Sequence, residues 1–126
     1  MSLLLGVRHF SHEIDPMIAC PCDECGHRDP QPHFIYRLDL ARELARTGFQ
    51  INSMCRCANH NRDVGGIDDS AHVKGLAADI AAGLKVTRGR IVRGLYAAGF
   101  DQITVYPTHV HVELDPAHSG GLGLGN

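Results

Sequence analysis

The chain has 126 residues, 44% of them hydrophobic and 21% charged, which suits one soluble globular domain with a single core. Its net charge of -2 gives no general pull toward nucleic acid, and no apolar run is long enough to insert in a membrane. Nine histidines and five cysteines, behind a start (Met1 to Val7) that lacks the basic region of a secretory signal, point to metal or catalytic chemistry before disulfides. The expectation is a monomer that is cytoplasmic when made.

Residues 1–33 are rich in His, Pro, Cys and Asp and read as an irregular N-terminal arm. From Phe34 to Thr47, apolar residues recur at helical spacing (Phe34, Leu38, Ala41, Leu44, Ala45), and Gly48 follows as the expected C-cap. Gln50 to Met54 reads as a short strand. Cys55 to Ala71 is polar, carries Gly65-Gly66 and Asp68-Asp69, and reads as a long functional loop. Leu76 to Ala82 reads as a buried strand. Val86 to Ala98 reads as a second helix, with Ile91, Val92, Leu95 and Tyr96 inward. Gln102 to Tyr106 and His109 to Leu114 read as two strands joined at Pro107-Thr108. The Gly-rich stretch 119–126 reads as a flexible tail. The predicted fold class is α+β, with helices packed on a small, largely antiparallel sheet.

Two features of this pattern are anomalous. Asp79 places a carboxylate in an apolar strand, which is costly unless the group is paired or bound to a metal. Gly75, between His72 and Asp79, lets the backbone turn tightly and approach a neighbour. His109, His111 and Glu113 alternate with Val110 and Val112, so a strand puts two imidazoles and a carboxylate on one face and two valines in the core. His72, Asp79 and His111 supply three zinc ligands and leave a position open for water, the pattern of a catalytic site. His109 is a candidate general base or transition-state stabiliser, and Glu113 a candidate for proton transfer or for orienting a ligand imidazole. Arg56, just after a strand, can bind a peptide carboxylate or a developing oxyanion. The predicted substrate contacts are Arg56 and Ser70.

The run Ser70-Ala71-His72-Val73-Lys74-Gly75-Leu76-Ala77-Ala78-Asp79-Ile80 resembles the S-x-H-x-x-G-x-A-x-D-[IV] motif of the zinc D-Ala-D-Ala carboxypeptidases. That family includes phage L-alanyl-D-glutamate endopeptidases and shares its fold with the hedgehog signalling domain. Ser53-Met54-Cys55-Arg56, with Asn61 and Val64-Gly65-Gly66, is similar to the family's S-G-Y-R … N … V-G-G stretch. Val105-Tyr106-Pro107 before His109-Val110-His111 is similar to its closing Y-P … H-x-H segment. The resemblance covers about residues 34–115. It implies zinc on His72, Asp79 and His111, a catalytic His109, and a substrate or transition-state role for Arg56. Met54-Cys55 stands where the family has Gly-Tyr, and Glu113 where Asp is common. Thr108 holds the position where some relatives carry a catalytic Glu, so that version of the mechanism does not carry over.

The resemblance further implies hydrolysis of peptidoglycan stem peptides by D,D-carboxypeptidase or endopeptidase action. It suits a phage or prophage lysis enzyme that reaches the wall after release. The alternative is a zinc-containing binding module of the same fold. Cys20, Cys22, Cys25, Cys55 and Cys57 leave three readings open: a second, structural zinc site, a disulfide tying the arm to the Arg56 loop, or reduced thiols. The remaining histidines (His9, His12, His27, His33, His60, His118) read as surface or loop residues.

Overall fold

The computed structural model describes residues 7–11, 15–21, 29–67, 69–118 and 120–125. Among its described residues before Pro32 the arm is irregular apart from a 3-10 turn at Pro16–Ile18, and Phe10 and Ile18 are buried in the core. It runs beside the end of the first strand, where Met54 and Cys55 donate backbone hydrogen bonds to Met17 and Ile18.

Helix α1 spans Pro32–Ala45, with proline in its first turn, where a missing N–H costs nothing. It buries Phe34, Ile35, Leu38, Ala41 and Ala45. Two expectations change here. The helix ends on Arg46 in the left-handed region, φ 55°, rather than on Gly48, and the early turn lets Phe49 meet Phe10 with ring centroids 6.5 Å apart. Leu44 is exposed, because helix α3, Lys85–Ala97, crosses α1 over Ala41 and Ala45. At that crossing a Cβ on Gly94 would fall 2.5 Å from the Ala41 carbonyl oxygen, so only glycine permits the approach. On α3, Ile91 and Leu95 face inward as expected, Val92 is partly buried, and Tyr96 is exposed.

The strands are β1 (Ile51–Ser53), β2 (Ala77–Ala81), β3 (Gln102–Val105), β4 (His109–Glu113) and β5 (Gly121–Leu124). Among the described residues they form one sheet in the order β1-β2-β4-β3-β5. The first three pairings are antiparallel and β3–β5 is parallel, so the α+β expectation holds with a mixed sheet.

Two regions depart from the sequence reading. The loop after β1 contains a short helix, α2 (Ala58–Asp63), capped by Cys57 Sγ, which accepts from the His60 N–H. Its residues are polar and carry no apolar period, so nothing in the pattern announces it. The expected flexible tail forms β5 on the free edge of β3. Glycine lowers strand propensity, but the β3 edge supplies the hydrogen-bond partners. Among the described residues no helix is long and apolar enough to cross a membrane.

Candidate metal centre

Val110 and Val112 are fully buried, and the alternation of β4 therefore turns His109, His111 and Glu113 to the other face. In the β2–β4 ladder Asp79 lies directly across from His111. Their side chains meet with His111 Nδ1 2.8 Å from Asp79 Oδ1. Ser53 pairs with Asp79 from the other side, beyond a register shift in β1.

His72 comes from the loop before β2. Gly75 turns that loop with φ +73°, its Cα side pressed against the backbone of Pro30 and Gln31. The carbonyl of His72 accepts from Arg56 and Gly75 N–H groups, and its own N–H donates to Ser70 Oγ at 3.2 Å. Ser70 is buried, and this bond gives it a part in shaping the His72 turn as well as a place in the pocket wall. The imidazole is buried, with Nδ1 2.7 Å from the Met54 carbonyl. A carbonyl only accepts, so Nδ1 carries the proton and the lone pair of Nε2 points toward Asp79 Oδ2, 3.3 Å away. Met54, at a departure from the family pattern, thus fills the core with its side chain and holds His72 with its backbone.

One donor atom each from His72, Asp79 and His111 lie within 4.8 Å of one another. Two imidazoles and one carboxylate, with a lone pair already aimed inward, fit a zinc ion. Burial raises the Asp79 carboxyl, but the hydrogen bond with His111 and the proximity of His72 outweigh it and hold the group well below the ordinary carboxylate range. Burial lowers His111, but its bonds to Asp79 and Glu113 prevail and raise it. Asp79 is therefore held in its anionic form, the form that binds a cation.

The triad opens into a pocket of about 250 Å³ whose wall includes Arg56, Ile67, Ser70, Tyr106, His109 and His118. Arg56 is partly buried, and its Nε makes no hydrogen bond. Burial pulls its guanidinium below the ordinary value, opposed by the charge of Asp79. A guanidinium lining the pocket is a group that can pair with an anion there. His109 Nδ1 lies 3.0 Å from Thr108 Oγ1. Its ring stacks on Tyr106 with centroids 4.3 Å apart and planes 10° from parallel.

The fold brings together every residue predicted for the site. It also adds one that sequence reasoning left on the surface: His118 bonds Glu113 Oε2 through Nδ1 at 2.5 Å and Asp69 Oδ2 through Nε2 at 2.9 Å. It lies in an irregular segment beyond β4 with no periodic pattern, so no spacing could reveal it. Both carboxylate oxygens of Glu113 are engaged, Oε1 by His111 Nε2 at 2.9 Å and Oε2 by His118. Of the cysteines, Cys22 and Cys25 lie outside the described residues, as do His12 and His27. Cys20 Sγ accepts from the Cys57 N–H at 3.3 Å, which places the arm against the start of α2.

A comparison with curated proteins returned no match. The sequence does match the family described as Peptidase M15 over residues 17–115, a span that contains the whole triad, Arg56 and His109. The chain belongs to the peptidase M15 family, whose members are zinc-dependent metallopeptidases.

Proposed function

We propose that the protein hydrolyses an amide bond in peptidoglycan stem peptides, with His72, Asp79 and His111 holding one catalytic zinc. The observation that carries this reading is the shared pocket: the candidate metal triad, the Arg56 side chain and a stacked imidazole line the same open volume. Bound zinc supplies Lewis-acid polarisation of the scissile carbonyl and makes water nucleophilic at neutral pH.

The chain's own side chains do the rest. Arg56 binds the substrate carboxylate or the oxyanion that develops on the carbonyl. The Thr108 hydroxyl engages His109 Nδ1, which leaves Nε2 as the nitrogen that takes and returns the proton. Tyr106 holds the ring flat. Glu113 is assigned to orienting His111 rather than to proton transfer, because both its oxygens are engaged. The peptidoglycan substrate, and a lysis-type role at the cell wall, rest on the resemblance of the motifs around His72 and His111 to D,D-carboxypeptidases and L-alanyl-D-glutamate endopeptidases.

The test is mass spectrometry of defined stem peptides after incubation with the zinc-loaded protein, His109→Ala and Arg56→Ala. Loss of a terminal D-alanine marks carboxypeptidase action, and cleavage after L-alanine marks endopeptidase action. Stoichiometric zinc without cleavage of any stem peptide overturns the hydrolase reading in favour of a binding module.

A further inference from the structure

His111 is held at both ring nitrogens, Nδ1 by Asp79 and Nε2 by Glu113. A neutral imidazole offers one lone pair and one N–H. With a cation shared among His72, Asp79 and His111, the lone pair must be at Nδ1 and the proton at Nε2, where Glu113 Oε1 accepts it. The tautomer of the ligand therefore depends on where the Glu113 carboxylate is fixed.

Glu113 is fixed by His118. The His118 ring lies between two carboxylates, Glu113 Oε2 at 2.5 Å and Asp69 Oδ2 at 2.9 Å. Asp69 is in turn bound by Lys74 Nζ at 2.8 Å, and the same ammonium lies 2.6 Å from Asp115 Oδ2. Gln102 Nε2 donates to the backbone carbonyls of both Asp115 and His118, at 2.7 and 3.1 Å, which fixes the segment that presents the imidazole. Asp69, Asp115 and His118 could themselves be taken for a second metal site, but the Lys74 ammonium already bridges the two carboxylates. The relay joins two separate pieces of the centre. Asp69 and Lys74 flank His72 in the loop before β2, whereas Glu113 belongs with His111 on β4.

We propose that His118 is a positioning residue of the metal centre, locking Glu113 so that Glu113 fixes the tautomer and orientation of His111. The inference rests on His72, Asp79 and His111 being the zinc ligands. Outer carboxylate partners of ligand histidines typically change metal affinity by 10–100-fold, and His118 acts through such a partner.

The experiment is zinc affinity by competition with a chromophoric chelator, for the wild type, Glu113→Gln, His118→Ala and the double variant. Thermal unfolding of each metal-free protein is measured alongside. His118→Ala is expected to weaken zinc by about ten-fold. If His118 acts on the metal through Glu113, the double variant should bind no more weakly than Glu113→Gln alone. Asp69→Asn, at the exposed end of the relay, should weaken zinc in the same direction by less while keeping the fold. The cobalt-loaded form of His118→Ala should show altered absorption bands, which a distant packing defect would not cause.

Unchanged affinity in both His118→Ala and Asp69→Asn, or additive losses in the double variant, overturns the inference. His111→Ala separates this from failure of the ligand assignment. If zinc stays on His111→Ala, the ligands are wrong. If zinc is lost there but His118→Ala binds normally, only the positioning role fails.

Discussion

Asp79 and His111 face each other across the β2–β4 ladder, and their side chains meet at 2.8 Å on the face opposite the core. Strand pairing thus assembles two of three candidate ligands before any metal arrives. In the proposed site, replacing either removes a ligand rather than an outer partner. Asp79→Ala and His111→Ala should each lower zinc affinity by more than the roughly 100-fold seen for outer partners, with peptidase activity falling in parallel. Zinc content by elemental analysis and turnover of a stem peptide check this.

Arg56 should behave differently, because it touches the pocket and not the ligand set. Arg56→Ala is expected to lower turnover by about 10²–10³-fold, the usual effect of losing an oxyanion donor, at unchanged zinc stoichiometry. Arg56→Lys should recover little, since an ammonium cannot reproduce the planar fork. Steady-state kinetics with zinc analysis on the same samples separates the two outcomes.

The stacked pair Tyr106 and His109 depends on the C-terminal strand. Gly125 donates to the Val105 carbonyl at 2.7 Å, and a Cβ placed on it would fall 2.1 Å from Tyr106 Cε1. Gly125→Val should push the tyrosine ring off His109 and lower kcat by up to about 10²-fold with KM little changed, as small misplacements do. Tyr106→Phe keeps the stacking ring and should retain most of the turnover. A split of kcat against KM across the two variants is the measurement.

The metal-free protein should have a bell-shaped stability profile with pH. His118 is raised above its ordinary 6.5, first by its bond to Glu113 and further by Asp69. Its contribution is complete below 6.5 and is lost as pH rises through the folded value. Asp69 is lowered below 3.8, first by its bond to Lys74. At Asp115, burial acts upward but the Lys74 bond prevails and the group is lowered too. Their contributions are complete above 3.8 and are lost as pH falls through the folded values. The highest Tm is expected between these limits, and His118→Gln should flatten the alkaline limb. Thermal unfolding across pH in the presence of a chelator tests it.

Two glycines of α3 should respond oppositely to alanine. Gly89 is exposed with open space where a Cβ would lie, so Gly89→Ala should gain up to about 1 kcal/mol from helix propensity. Gly94→Ala gains the same propensity but forces a Cβ into the α1 backbone, and should lose about 1–3 kcal/mol net. Urea unfolding of both variants decides between propensity and packing at each position.

Much of the site was legible because its residues violate local rules. Asp79 in an apolar run, and imidazoles alternating with Val110 and Val112, are expensive patterns that only a polar centre explains. Period-two alternation then dictated which side of β4 each residue takes, and the spacing of Phe34, Leu38, Ala41 and Ala45 dictated the buried stripe of α1. These are properties of short segments, set by backbone geometry and by the cost of burying charge.

Other features required the assembled chain. Leu44 points outward and Gly94 is indispensable only because α3 crosses α1 where it does. Gly121–Leu124 is a strand only because the edge of β3 offers hydrogen bonds that glycines cannot earn through side-chain packing. His118 enters the site because the turn after β4, held by Gln102, brings it back to Glu113, and the loop carrying Asp69 meets it from a distant part of the chain. The sequence by itself determined which polar side chains had to be gathered in one centre, since solvation penalties act residue by residue. Tertiary structure decided their partners, because hydrogen bonds between distant segments depend on distances that no local pattern encodes.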